Sequence, residues 1–228
     1  MRARKKPQFL LPGAPLAFPD PNLADDEGML AIGGDLSPER LLFAYEHGIF
    51  PWYDEGLPPM WWSPNPRTVL DTEHLHVSSS MKRVLRSGRF SVSFDRAFRD
   101  IIVECGRERD TGTWILPEMV EAYCNLHQLG HAHSVEVWQG GRLVGGLYGV
   151  QRGALFAAES MFHRERDASK VALITAIETL FAAGIELFDV QFLTPHLESL
   201  GAYEIPRARY LELVAKAVAK PGCGQLPG

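Results

Sequence analysis

Five prolines, Pro51, Pro58, Pro59, Pro64 and Pro66, interrupt the stretch from Gly48 to Arg67. Each locks φ near about −65° and removes a backbone donor, so the stretch is not expected to run as a regular helix or a central strand. Three of the chain's five tryptophans, Trp52, Trp61 and Trp62, fall inside it. A stiff loop carrying three indoles suits a surface that grips something flat and apolar. It equally suits a satellite cluster that seals one edge of a core. The loop by itself does not choose between the two.

At 228 residues the chain can hold one large domain, or a small domain attached to a larger one. No run approaches the roughly 18 apolar residues of a membrane span. The basic start, Met1 to Pro7, is followed by no long apolar segment, so neither a membrane partner nor a secretory leader is expected. Cys105, Cys124 and Cys223 form no CxxC pair and are odd in number, which reads as reduced cytoplasmic thiols. A net charge of −5 argues against a protein that coats DNA. Its distribution is uneven. Nine acids face Arg40 alone between Asp20 and Glu55, whereas eight bases outnumber four acids between Lys82 and Arg109. That basic stripe could dock a local phosphate backbone. Charge alone favours a solvated face whose bases pair with Asp95, Asp100, Glu104 and Glu108.

Residues 1–34 read as loop-rich. Ser37 is a good N-cap for a short helix with Pro38 at its first position, an apolar face of Leu41, Leu42 and Tyr45, and Gly48 as its stop. A domain boundary is expected at Pro66, giving a small N-terminal domain over 1–66 and a second domain over 67–228. In the second, Thr68–Leu70 is strand-like, Ser78–Ser80 can cap a basic helix through Arg86, and Phe90–Phe94 alternates like a strand. Helices are expected over Asp95–Cys105 and Pro117–Leu129. Strands Ser134–Gln139 and Arg142–Gln151 flank a Gly140-Gly141 hairpin turn, and Ala154–Met161 follows as a third strand. Val171, Ile174, Ile177, Leu180 and Phe181 give Ser169–Ala183 a helical period, ended by Gly184. Ile185–Leu193 is an apolar strand. The tail, Pro221–Gly228, is expected to be disordered. The class is therefore α/β (α+β), with a mixed, largely antiparallel sheet in the element order of an acyltransferase.

On the Ile185–Leu193 strand, alternation points Asp189 and Gln191 one way and Phe188, Val190 and Phe192 the other. A carboxylate and an amide on an apolar strand need a task or a partner. They either handle an amine or satisfy nearby loop backbone. Glu159 is the one acid on the strand Leu155–Phe162. If that strand neighbours Asp189, the two carboxylates face one cavity and attract a cation, such as an amino terminus with a basic side chain. The pairs His74 with His76 and His131 with His133 lack a third ligand, so no metal is assigned. No Ser-His-Asp order, P-loop or GxGxxG is present. The turn His163–Lys170, where an acyltransferase would cradle the CoA pyrophosphate, contains no glycine. A different activated acyl donor is needed.

Nine motifs occur in order: Gly33-Gly-Asp-Leu-Ser37, Gly48-Ile-Phe-Pro-Trp52, Trp61-Trp-Ser-Pro-Asn-Pro-Arg67, Ser80-Met-Lys-Arg83, Gly112-Thr-Trp-Ile115, Gly130-His-Ala-His-Ser134, Val144-Gly-Gly-Leu-Tyr-Gly149, Glu159-Ser-Met-Phe162 and Ser199-Leu-Gly-Ala202. Together they resemble the leucyl/phenylalanyl-tRNA–protein transferases from about Phe18 to Leu213. The resemblance implies a GNAT-like C-terminal domain behind a small N-terminal one, with no cofactor, metal or CoA. It also implies transfer of leucine or phenylalanine from its tRNA to proteins with N-terminal arginine or lysine, marking them for degradation in the cytoplasm. By the same resemblance Asp189 and Gln191 act on the attacking amine, and Glu159 lies near the reaction centre. Trp52 and Trp114 hold the terminal adenosine, with Tyr45 close by. Phe156, Met161, Leu173, Leu180 and Phe188 line the pocket for the amino-acid side chain, and Lys82 and Arg83 face the acceptor stem. Leu147 stands where methionine is expected and Ala176 where a bulkier phenylalanine is expected, so the smaller wall could alter the preference between leucine and phenylalanine.

The chemistry this implies is attack of an α-amine on an aminoacyl ester. The donor is already activated, so alignment can supply much of the rate. Asp189, acting through Gln191, is expected to hold the amine neutral and aimed. Asp189→Ala is then expected to lose transfer and keep tRNA binding. Two rivals remain. A CoA-dependent N-acyltransferase of GNAT type would be stabilised by acetyl-CoA, and a non-catalytic binder of basic N-termini or RNA ends would bind without product.

Overall fold

The computed structural model describes residues 6–11, 13, 15–107 and 113–222. Arg109, Glu108, Gly112, Cys223 and most of the expected disordered tail lie outside the described residues. Two sheets organise the chain. The smaller contains β1 (Gln8–Leu10), β2 (Met29–Gly33), β3 (Phe50–Pro51) and β4 (Met60–Trp62) in the order β1-β2-β4-β3, with α1 (Pro38–Glu46) between β2 and β3. Ser37 caps α1 and Pro38 occupies its first turn, as the sequence predicts.

This corrects the reading of the proline-rich stretch. Met60–Trp62 is an inner strand, paired with β2 on one side and β3 on the other. The prolines flank it or sit in the edge strand β3, so residues 60–62 keep every donor the ladder needs. Residues 1–34 likewise carry two strands where loop was expected.

The larger sheet contains β5 (Arg67–Leu70), β6 (Ser91–Phe94), β7 (Ala132–Gln139), β8 (Arg142–Arg152), β9 (Leu155–His163), β10 (Leu187–Gln191) and β11 (Tyr203–Ile205). Their order is β11-β5-β10-β9-β8-β7-β6. Only β9 and β10 pair in parallel; the other neighbours are antiparallel. The expected order of antiparallel strands, crossover helix and parallel return strand is present, with α5 (Ala168–Ala182) as the crossover. Gly140 and Gly141, at φ +56° and +75°, close the β7–β8 hairpin, as the positive φ of such a turn requires. α2 (Ser79–Arg86) is capped by Ser78 as expected. The remaining helices are α3 (Phe98–Cys105), α4 (Pro117–Gln128), α6 (Pro195–Glu198) and α7 (Arg207–Val218); α6, β11 and α7 were not singled out by the sequence pattern.

The large sheet is covered on both faces, which is why β8 is buried almost throughout. On one face Val171, Leu173, Ile174, Ala176, Ile177 and Leu180 of α5 pack against Val135, Val137, Leu147, Phe156 and Phe188. On the other, α1, α3 and α4 share a core with Tyr148, Val150, Ala157 and the small sheet, and Tyr210, Val214 and Ala217 of α7 cover Val69, Leu155 and Leu187. Among the described residues no helix is long and apolar enough to cross a membrane.

Two irregularities prepare the site. β9 follows β8 with Ala158 opposite Gly149 and Ser160 opposite Tyr148, leaving Glu159 as an extra residue without a cross-strand partner. β10 follows β5 with Asp189 opposite Val69 and Gln191 opposite Thr68, leaving Val190 as a second. Such bulges re-aim side chains at the rim of a sheet. The β9–β10 pairing stops at Ala157 and Asp189, and beyond that point the two strands diverge.

Candidate active site

A cavity of about 820 Å³ opens where β9 and β10 part. Glu159, Ser160, Met161 and Phe162 line one side from β9; Val190, Gln191 and Phe192 line another from the end of β10. Phe50, Pro51, Trp52 and Trp114 close over it, while Glu104, Arg107, His163, Arg164, Ser169, Thr194 and His196 form its polar far end.

The tryptophans divide by task. Trp61 is fully buried, and its Nε1 donates to the Gly33 carbonyl at 2.8 Å. Trp62 is also buried and donates from Nε1 to the Trp52 carbonyl at 2.6 Å. Trp52 alone of the three is 40 % exposed, with its ring 5.6 Å from both Trp62 and Phe192. A half-exposed indole whose backbone is pinned from behind offers a free π-face at low entropic cost. The packing reading of the aromatic stretch thus holds for Trp61 and Trp62, and Trp52 is the indole left with an exposed face.

Glu159 faces the cavity among donors. Tyr123 Oη donates to its Oε2 at 3.2 Å and Gln191 Nε2 to its Oε1 at 3.3 Å. Tyr45 Oη lies 2.5 Å from Tyr123 Oη, completing a chain of phenol, phenol and carboxyl. Burial lifts the Glu159 carboxyl to about 8; the Tyr45 hydrogen bond opposes this and the nearby Asp189 carboxylate adds to it. Burial, reinforced by Glu159, holds both phenols well above their usual range, so they remain donors.

Asp189 lies behind Gln191 and has no exposure. Arg67 Nε donates to Oδ1 at 2.8 Å and Arg67 Nη2 to Oδ2 at 2.6 Å, a two-point fork. Tyr210 Oη also donates to Oδ2 at 2.8 Å, and the Gln191 backbone N–H donates to Oδ1 at 3.0 Å. Each carboxylate oxygen thus accepts two hydrogen bonds from within the protein. The two acids do not share the cavity as expected: Asp189 does not line it, and Glu159 does. Phe188 and Val190 pack toward α5 as alternation predicts, but Phe192 turns instead to Phe50 and Trp52. The cause is the left-handed backbone of Gln191, φ +57°, which reverses the strand direction.

Among the other residues singled out from the sequence, Trp52, Trp114, Met161 and Gln191 meet Glu159 in the cavity wall. Tyr45 does not line the cavity and is linked to Glu159 through Tyr123. Leu147, Phe156, Leu173, Ala176, Leu180 and Phe188 do not line the cavity; they are buried in the core between the sheet and α5. Met161 touches both, lining the cavity and packing on that core. Beside the small Ala176 in that core, Phe156 and Phe188 stack at 5.3 Å. Lys82 and Arg83 are exposed on α2, outside the cavity. Of the basic stripe, Arg99 pairs with Glu121, Arg89 with Glu165 and Arg107 with Glu104, whereas Asp95 is taken by His133 at 2.7 Å. Among the described residues, Glu104 is the one expected acid that pairs with a base of that stripe, and Glu108 lies outside them. His74 is bonded to Asp71, and among the described residues no three His, Cys, Asp or Glu side chains converge as a metal cage would.

Arg67, Tyr123 and Tyr210 were missed as site residues. Arg67 closes the motif Trp61-Trp-Ser-Pro-Asn-Pro-Arg67, but nothing in the sequence gives it a partner. Tyr123 follows Met119 at helical spacing and reads as core; only an unpaired hydroxyl demand could have flagged it.

The chain turns to known proteins with one answer. Residues 69–215 match the sequence model of the family described as "Leucyl/phenylalanyl-tRNA protein transferase", and residues 34–65 match that of its N-terminal domain. A "Leucyl/phenylalanyl-tRNA--protein transferase" of Anaeromyxobacter sp. (strain Fw109-5) is 54% identical over 90% of this chain and 89% of its own length. That of Syntrophobacter fumaroxidans is 56% identical over 89% and 88%. A GCN5-related N-acetyltransferase from Kribbella flavida is a remote structural likeness, with TM-score 0.40 and 11% identity over 73% of this chain and 60% of that one, and bears no weight here. The family match over most of the chain is decisive: the chain belongs to the leucyl/phenylalanyl-tRNA–protein transferase family.

Proposed function

We infer that this chain transfers leucine or phenylalanine from its tRNA to the N-terminal arginine or lysine of acceptor proteins, leaving a new terminal residue that serves as a degradation signal. The observation that carries this reading is the cavity itself, with an exposed indole on one wall and a hydrogen-bonded carboxyl beside an amide on the other. Trp52 and Trp114 are suited to stack the terminal adenosine. Glu159 and Gln191 are suited to receive a cationic amine. Charged tRNA is met in the cytoplasm, so that is where the reaction is placed.

The reaction forms an N–C bond and breaks the ester C–O bond, and a proton of the amine ends on the released ribose oxygen. An α-ammonium has a pKa of about 7.7–8.0. Glu159, lifted to about 8, can exchange a proton with such a group at little cost. Glu159 is therefore the side chain we assign to the proton, with the Gln191 amide orienting the nitrogen. Asp189 is assigned a role behind them, in place of direct action on the amine. Met161 is the wall through which the amino-acid side chain would meet the core of Phe156, Leu173, Ala176 and Phe188. Lys82 and Arg83 are assigned to the acceptor stem.

The test is transfer of label from radiolabelled leucyl-tRNA to a peptide that begins with arginine. Label in that peptide, and none in one beginning with glutamate, is the expected result. Tight binding of both substrates without product would leave only a binding module. Activity with acetyl-CoA in place of the charged tRNA would overturn the reading.

A further inference from the structure

Arg67 is 1 % exposed and does not line the cavity, yet its guanidinium contacts three separate parts of the chain. Its fork holds Asp189 on β10. Its Nη1 donates to the Gly48 carbonyl at 3.2 Å, two residues before Phe50. Its plane lies between two rings, 4.6 Å from the Phe50 centroid and 4.5 Å from that of Tyr210. Gly48 permits the arrangement: its φ is +71°, and a Cβ there would sit 2.8 Å from Tyr210 Cε1. A guanidinium used in this way is planar, permanently charged and fixed in five directions, which lysine cannot reproduce.

The consequence lies one step further on. Asp189 Oδ1, held by Arg67, accepts the backbone N–H of Gln191. That bond bridges the strained left-handed turn at φ +57°, a conformation non-glycine residues adopt at a cost. The turn aims the Gln191 amide at Glu159. Resting on the functional reading above, we propose that Arg67 is a positioning residue for aminoacyl transfer, acting through Asp189 and the Gln191 turn to present the amide beside Glu159.

A double-mutant cycle on the full chain tests this. Wild type, R67K, Q191A and R67K/Q191A are compared under single turnover with enzyme in excess over labelled leucyl-tRNA, each checked for a cooperative thermal transition. R67K is expected to slow transfer by about 100-fold, since a small misplacement at a reacting centre costs that much. On the Q191A background the same change is expected to add less than about threefold, because residues that act as a unit are not additive. Equal losses in both backgrounds, or wild-type rates for Q191A, would overturn the proposal. A second readout is the midpoint of the rate–pH profile. Loss of the Gln191 donor disfavours the Glu159 carboxylate, so R67K should move the midpoint upward by about half a unit or more; a profile merely scaled down, with its midpoint unmoved, also overturns the proposal. If R67K does not fold, Y210F, which removes one hydroxyl from Asp189, goes through the same cycle with the same criteria and a smaller loss, about tenfold. A wild-type chain that moves no label would sink the functional reading instead, so the two failures are distinct.

Discussion

Glu159 and Asp189 are carboxyl groups at the fork of two neighbouring strands, and their surroundings differ in kind. Asp189 accepts from Arg67 twice, from Tyr210 and from a backbone N–H, with nothing left over for a substrate. Glu159 receives one phenol and one amide, lines the cavity and is held at a raised proton affinity. The first is a charge fixed in place by a permanent counter-charge; the second is a group whose charge is free to change. Residue type and strand position alone would make them a pair of equals.

That contrast is broken most severely at Asp189. Asp189→Ala leaves Arg67 buried without its partner, and breaking such a pair costs about 3–5 kcal/mol. Urea unfolding should register that loss, together with lost transfer. Unchanged stability would mean that the carboxylate is not the anchor. Glu159→Gln should instead fold well and slow transfer by about 10²–10⁴-fold, the usual contribution of a positioned acid or base. Binding of leucyl-tRNA, measured by filter retention, should hold.

The same variant sharpens the comparison through pH. A carboxyl raised from 4.5 to about 8 stays protonated in the fold while the unfolded chain ionises. Its contribution to stability is therefore full below about pH 4.5 and is lost as pH rises toward 8. The melting temperature of Glu159→Gln should match wild type near pH 4.5 and exceed it at pH 9. A constant gap across that range would refute the buried-acid picture.

Smaller effects separate the indoles and the basic helix. Trp52→Ala should weaken binding of the tRNA end by about 1–3 kcal/mol, the worth of one stacked base, with little change in melting. Trp61→Ala should do the reverse, costing about 3–5 kcal/mol of stability. Removing Lys82 and Arg83 together should flatten the salt dependence of tRNA binding by less than about two counterions, leaving the rate at saturation alone.

Much of the scaffold was legible because period and punctuation agree: Gly140-Gly141 between alternating strands, Ser78 before a basic helix, and the apolar run of α5. Glu159 and Gln191 stood out because polar groups on apolar strands need partners. What stayed hidden depends on contacts between distant segments. Met60–Trp62 became an inner strand because its neighbours, β2 and β3, came from parts of the chain that read as loop. Asp189 reads as either a base or an electrostatic anchor because nothing in one dimension shows that Arg67, 122 positions earlier, is paired with it. The side-chain pocket was implied by resemblance, and six of its seven expected residues, all but Met161, lie in a closed core.

Glu159 stands in β9 as a residue with no opposite number in β8. The device is thus a matter of chain length as much as of chemistry: shortening β9 by that single position would restore an unbroken ladder, with Ser160 still opposite Tyr148, and take away the strand's one carboxyl. A survey of point replacements would never sample that change, while one in-frame codon deletion would erase the site and leave a better sheet.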